Sequence, residues 1–395
     1  MISSKQREND FPKPKRSSDA HKTIVIGVGG MGSAACVELA RRGVSVLGIE
    51  QFRLGHDRGS SHGESRIIRK AYFEHPDYVP LLHRAYELWN RLERDTGRNL
   101  FRPTGLILSG PADGETIQGA RLSAEQHGLE LQNFTANEAL RSFPGFVFPA
   151  DHDVAFEPGA GTLLVDDCVE AQISEAIRLG ATMIDNEKVV DWSSDGQSVC
   201  VKTTNNEYHA DSLIVTAGAW ASECLRSLRL PLKVVRKFVG WFQCRSTNFH
   251  EDRGCPTFYF EMPGGTFYGF PSFDGTTVKV AEHSGGEPVD DPFAVNRECH
   301  PSDIIRLNSF LTECLPEIDP DPVRHSVCLY TRTPDQHFVI DHHPEQQNVV
   351  FAAGFSGHGF KFCPVIGEAL ADLIQHGQTS LPVAFLSRNR SSLIA

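Results

Sequence analysis

Gly27-Val28-Gly29-Gly30-Met31-Gly32 stands directly behind a β-branched run at 22–26 and ahead of a segment, 33–42, with Ala35, Cys36, Leu39 and Ala40 on one helical face. A glycine turn between a strand and a helix is suited to a nucleotide pyrophosphate. Gly27 permits the tight turn, Gly29 lets backbone approach the phosphates, and Gly32 lets the helix close on the strand. The helix N-terminus adds N–H donors and partial positive charge. Glu50, at the end of the strand run 44–50, is placed to accept from ribose hydroxyls, and its charge disfavours NADP. The fingerprint alone does not separate FAD from NAD. A second apolar run, 213–218, ends in Ala217-Gly218, where backbone either meets a ligand or simply leaves a strand.

The remaining chemistry-bearing residues are scattered. In 277–283, alternation puts Lys279 and His283 on one face of a strand. Asp274-Gly275 predicts a two-residue hairpin turn. That register pairs Phe270 with Lys279 and Tyr268 with Ala281, so Tyr268, Lys279 and His283 share a face. Pro271 opposes it, because proline cannot donate to a ladder, and the alternative makes this the solvent face of a half-buried sheet. Arg69 and Lys361 suit an anion, and the planar fork of Arg69 matches a carboxylate. For a lone basic residue the default is a surface ion pair. Cys328 follows Arg324 and His325, whose charge would help form a thiolate.

Three stretches resemble the monomeric sarcosine oxidase family, which includes N-methyltryptophan and pipecolate oxidases. They are Gly59-Ser60-Ser61-His62-Gly63-Glu64-Ser65-Arg66-Ile67-Ile68-Arg69, Cys328-Leu329-Tyr330-Thr331 with 335–341, and GFSGHGFKF at 354–362. With the glycine fingerprint the resemblance runs from 23 to 390. It implies an α/β fold: a Rossmann-like FAD-binding domain built from discontinuous segments, and a second, α+β substrate domain with a mixed β-sheet. It also implies hydride transfer from a C–N donor, imine hydrolysis, and reoxidation by O2 to hydrogen peroxide. The substrate is then a secondary amino acid, sarcosine first, with another N-alkyl amino acid as the alternative. An NAD-dependent dehydrogenase, or a nucleotide-binding protein without turnover, is the reading from other classes.

The resemblance implies the following roles. Arg69 and Lys361 bind the substrate carboxylate. Arg66 lies beside the flavin ring, and Lys279 lies over it and activates oxygen, as a cation beside developing negative charge would. Tyr268, His283 and Tyr330 line the amine site, with His283 orienting substrate. Cys328 attaches covalently to the flavin. Gly30, Met31, Gln51, Ser60, Val189, Gly218, Gly357 and Gly359 join the fingerprint glycines and Glu50 at the cofactor, with Lys361 at its pyrimidine end. His62 either lines the flavin or caps its loop. Tyr259 departs from the family pattern, in which a smaller flexible apolar side chain stands there, and it reshapes the amine end of the pocket.

The elements that must hold these groups are legible in outline. A helix over 77–94 is predicted from Leu81, Leu82, Ala85, Leu88, Trp89 and Leu92, stopped at Gly97, and another follows the loop at 354–361, with Gly377 past its end. Residues 348–353 read as a buried strand. The expected division is 22–100, 160–230 and 326–395 for the FAD domain and 101–159 and 231–325 for the substrate domain. Residues 1–21 form a polar, disordered lead-in without the apolar core of a signal peptide. The chain has 395 residues and a formal net charge of −12. That charge argues against nucleic acid and anionic membrane surfaces as partners. The ten cysteines show no metal-ligand spacing and the C-terminus is no peroxisomal address, so no metal and a monomeric cytoplasmic enzyme are expected.

Overall fold

The computed structural model describes residues 21–393. Of the expected lead-in at 1–21, residues 1–20 lie outside them, while His21 does not belong to it: it begins the first strand.

β-Branched runs make the first sheet. His21–Ile26 is parallel to Val46–Ile49 on one side and to Glu207–Val215 on the other. Thr182–Ile184 extends the sheet beyond Val46–Ile49, and Val349–Ala353 pairs in parallel with Glu207–Val215. These short strands carry apolar side chains on both faces, as parallel strands must. One face is covered by the helices Gly30–Arg41, Val79–Thr96, Val165–Arg178 and Cys363–His376, which bury one apolar cluster with it. In Val79–Thr96 the buried residues are Val79 and the six expected from the spacing, and Gly97 ends it at φ +67°.

The second sheet has nine strands and is mixed. Its order is Glu287–Val289, Lys233–Cys244, Thr277–Glu282, Gly265–Phe270, Thr257–Met262, Leu106–Pro111, His152–Glu157, Gln132–Thr135. Ile318–Arg332 pairs with Lys233–Cys244 along its length, so this one strand crosses the expected border at 326. Alternation sorts the faces. Phe258, Phe260 and Phe267 pack with Phe310 of helix Pro301–Cys314. Tyr259, Tyr268, Phe270, Trp241 and Cys328 gather in a cluster on the other face. That second face is where the expected site residues lie.

The register of the Lys279 hairpin is the expected one: Phe270 opposes Lys279 and Tyr268 opposes Ala281. The turn is different. Ladder pairing stops at Pro271, and six residues separate the strands. Asp274 closes that loop, its Oδ1 accepting from Thr276 N at 2.8 Å and Thr277 N at 2.7 Å. A side-chain turn of this kind competes with the backbone hairpin. His283 lies just past the end of Thr277–Glu282 rather than within it. No helix is long and apolar enough to cross a membrane among the described residues.

Candidate active site

A cleft of about 1350 Å3, solvent at its mouth included, runs between the glycine turn, the loop 354–360 and the start of the 59–69 segment. Its backbone is bare by necessity. A Cβ on Gly30 would lie 2.7 Å from the Cys363 Sγ. Gly27 sits at φ +86°, and a Cβ on Gly32 would come within 1.8 Å of the Gly27 carbonyl oxygen. Glu50 is fixed by backbone: its Oε2 accepts from Val28 N at 2.9 Å and its Oε1 from Phe52 N at 3.1 Å. Bare N–H groups at the helix start, with a held carboxylate one strand away, fit the pyrophosphate and ribose of FAD.

Of the expected cofactor residues, Gly27, Gly29, Gly30, Met31, Glu50, Gln51, Ser60, Arg66, Val189, Gly218, Gly357 and Gly359 line this cleft. Gly32 does not, because it is the close packing contact against Gly27. His62, Cys328 and Lys361 are not among the lining residues: Cys328 lies beside Arg66 and His62, and Lys361 beside Tyr72 and His358. Ser61 lines the cleft unforeseen, its Oγ accepting from Gly30 N at 3.2 Å, as do Phe355, Phe360 and Cys363.

Cys328 lies on strand Ile318–Arg332, 2% exposed, with Arg66 Nη2 3.5 Å from its sulfur. Burial alone would raise this thiol. The charges of His62 and Arg66, a hydrogen bond from His62 and the charge of Lys279 overturn that and bring it down to about 6. The expected activation by Arg324 and His325 is incorrect. Arg324 pairs with Glu64 over the Trp241 ring, and the His325 ring stacks on Phe238 and bonds to the Arg297 carbonyl. Neighbours in an extended strand lie along it or on its opposite face, so the cations come from another segment. His62 takes the loop-holding position, its Nε2 donating to Gly59 O at 3.1 Å, while it also faces the thiol.

Lys279 is 3% exposed, so the hairpin face is buried and not a solvent face. Its Nζ donates to Gly63 O at 2.6 Å, Ser65 O at 2.8 Å and Ser65 Oγ at 2.9 Å. Burial and then the charge of Arg66 push its pKa down. Three acceptors nonetheless account for all three protons of an ammonium, and we read it as one.

Arg69 and Lys361 are both buried and flank the Tyr72 ring, at 4.3 Å and 5.2 Å from its centroid. Arg69 also lies 3.9 Å over Phe73. Its Nη2 donates to Glu74 Oε2 at 2.6 Å, a resident carboxylate absent from the expected set. Burial opposes ionisation of Glu74, but Arg69 holds its carboxyl at about 2. The signal for it was an acid five residues after Arg69. Lys361 has one acceptor, His358 O at 2.8 Å, and burial followed by the Arg69 charge lowers it to about 7.

Between these cations and Cys328 stands a box of rings. Tyr259 packs at 5.1 Å on Phe73 and 5.9 Å from His283. His283 lies 6.3 Å from Tyr268 and 5.6 Å from Tyr330. Burial, then His358 and Lys237, push His283 well below its ordinary value, so a neutral imidazole faces the Tyr330 hydroxyl at 3.4 Å. The structure thus gathers Arg66, Tyr268, Lys279, His283, Tyr330, Tyr259 and the Arg69–Lys361 pair into neighbouring buried clusters at one end of the cleft. An acid–base or metal triad is not what they form: they are cations, neutral phenols and a neutral imidazole around an apolar box.

Comparison with known proteins agrees with this geometry. The chain is 40% identical over 375 residues to monomeric sarcosine oxidase of Bacillus sp. (strain B-0618), covering 94% of this chain and 96% of that protein. Peroxisomal sarcosine oxidase of Homo sapiens is 36% identical, with 90% and 92% covered. N-methyl-L-tryptophan oxidase of Yersinia pestis (strain Pestoides F) is 34% identical, with 93% and 98% covered. Among solved structures, NikD, an amino acid oxidase essential for nikkomycin biosynthesis, superposes with a TM-score of 0.83 at 25% identity, covering 94% of this chain and 98% of that one. The family model for FAD-dependent oxidoreductases (DAO) matches residues 22–373, and the chain belongs to that family as a flavoenzyme of the sarcosine oxidase type.

Proposed function

We propose that the protein oxidises a small N-alkyl amino acid, sarcosine in the first instance, with O2 as acceptor and hydrogen peroxide as product. The observation that carries the reading is the pair of buried cations, Arg69 and Lys361, drawn from opposite ends of the chain to one aromatic ring at the cleft's end. Bound FAD supplies the hydride acceptor and the route to oxygen.

Arg69 and Lys361 take the substrate carboxylate, for which Glu74 is the resident stand-in, so binding exchanges one carboxylate for another on Arg69. Tyr259, Tyr268, Tyr330 and the neutral His283 form the amine site and exclude water, which favours the uncharged amine needed for oxidation. His283 orients substrate through Tyr330, and no essential base is assigned. Lys279 and Arg66 place fixed positive charge where negative charge develops. Loop 354–360 and Lys361 serve the cofactor's pyrimidine end. Cys328, held as a thiolate, is the proposed point of covalent attachment. The imine of sarcosine hydrolyses to glycine and formaldehyde.

We assign 22–100, 160–230 and 326–395 to the FAD domain and 101–159 and 231–325 to the substrate domain, with strand Ile318–Arg332 of the second sheet running across the border at 326. A monomer working in the cytoplasm is the proposed setting, supported by the monomeric relative and by ten free cysteines. A peroxide-coupled screen of the purified yellow protein against sarcosine, N-methyltryptophan and pipecolate tests the function. Peroxide with sarcosine supports it, and none with any N-alkyl amino acid removes it.

A further inference from the structure

Two more cations close the other end of the ring box. Lys237 is 4% exposed on strand Lys233–Cys244, and its Nζ lies 5.6 Å from the Tyr330 centroid. Arg332, on strand Ile318–Arg332, stands 5.8 Å from the same ring, and its Nη2 donates to His283 O at 3.1 Å. Neither has a carboxylate within 4 Å among the described residues. The nearby acids are taken: Glu282 by Arg306 at 2.7 Å, Asp303 by Arg236 at 2.8 Å and Glu74 by Arg69 at 2.6 Å. Lys237 has one acceptor, Ser284 O at 2.5 Å, where Lys279 has three. The Arg332 Nε is buried with no acceptor at all. An unpaired buried cation is costly unless an anion arrives.

The rings join these cations to the carboxylate clamp. Phe73 under Arg69 meets Tyr259, Tyr259 meets His283, and His283 meets Tyr330. One row of aromatic side chains therefore has a cationic pole at each end. A substrate with a single carboxylate uses only the Arg69 pole. We propose that Lys237 and Arg332 form a second anion-binding wall of the amine site, so that preferred substrates are N-alkyl amino acids carrying a second carboxylate on the side chain. This rests on the function proposed above and adds its substrate class. Burial brings Lys237 to about 7, and an arriving carboxylate would restore its charge.

The test uses the holoenzyme with racemic N-methylaspartate and N-methylglutamate, and N-methylalanine as the single-carboxylate reference. The ratio of kcat/KM, diacid over monoacid, should exceed about ten and fall by about ten- to a hundredfold in Lys237→Met and in Arg332→Met, as for loss of a charged hydrogen bond. Lys237→Arg should keep most of it. Taking a ratio cancels any general loss of folding or cofactor. Perturbation of flavin absorbance by glutarate against butyrate reads the same site without turnover. Equal ratios in wild type and Lys237→Met, with sarcosine still oxidised, overturn the second wall and leave the oxidase reading standing. If no N-methyl amino acid is oxidised, the oxidase reading fails, and tighter binding of glutarate than butyrate, lost in Lys237→Met, still supports the second wall.

Discussion

Replacing Arg66 by methionine removes one of the three charges, with His62 and Lys279, that hold Cys328 as a thiolate. A thiol at its ordinary 9.0 is about 1% ionised at pH 7, whereas one brought to about 6 is about 90% ionised. The cluster therefore raises the nucleophilic form roughly ninetyfold at neutral pH, and the fall from 9.0 to about 6 corresponds to about 4 kcal/mol of differential stabilisation of the thiolate. Because the folded value is depressed, this contribution is present in full above about pH 9 and is lost as pH falls through about 6. The assay is the ultraviolet thiolate absorbance of cofactor-free protein, wild type minus Cys328→Ser, titrated across pH 5 to 10. Buried thiols such as Cys36, Cys255 and Cys363 are pushed up by burial and stay silent below pH 9. The wild-type difference should inflect near 6. In Arg66→Met it should move towards 9.0, and covalent incorporation of added FAD at pH 7 should slow about tenfold or more. A wild-type inflection at about 8.5 or higher would refute the reasoning.

Three further perturbations probe the rest of the site. Arg69→Ala strands Glu74 as a buried, unpaired carboxylate and should raise KM for an N-methyl amino acid about ten- to a hundredfold, whereas Glu74→Gln should lower it, since no resident carboxylate then competes for Arg69. Lys279→Met should slow reoxidation of reduced enzyme by O2 much more than anaerobic reduction by substrate, and equal slowing in stopped flow would reduce Lys279 to a structural role. Lys361 is charged below about 7 and loses its proton above it, so affinity for a monocarboxylate without an amine, such as propionate, should weaken as pH rises through that value. A flat profile in a flavin absorbance titration would contradict it.

Patterns of period and register carried far in this sequence. The helix Val79–Thr96 buries the residues its spacing selects, and Tyr268 opposes Ala281 as the turn signal required. Both are local consequences of apolar periodicity and of chain length between strands. What escaped is set by three-dimensional proximity. Arg324 and His325 precede Cys328 in sequence, yet the charges that act on its sulfur come from the 59–69 segment and from Lys279. Glu74 was hidden because an acid in a loop has no periodic signature, and its meaning appears only when Arg69 turns back on it at 2.6 Å. The Asp274 loop kept the strand register but not the two-residue turn, because Pro271 ends the ladder early and the Asp274 carboxylate takes over the backbone donors.

The most direct measurement of the central claim is peroxide formation by the purified yellow protein with sarcosine against dimethylamine, the same amine without its carboxylate. Sarcosine should be oxidised with at least about tenfold higher kcat/KM, and Arg69→Ala should erase most of that preference while flavin remains bound. Equal oxidation of both amines by the wild type would contradict the carboxylate clamp at Arg69 and Lys361, and with it the proposed class of substrate.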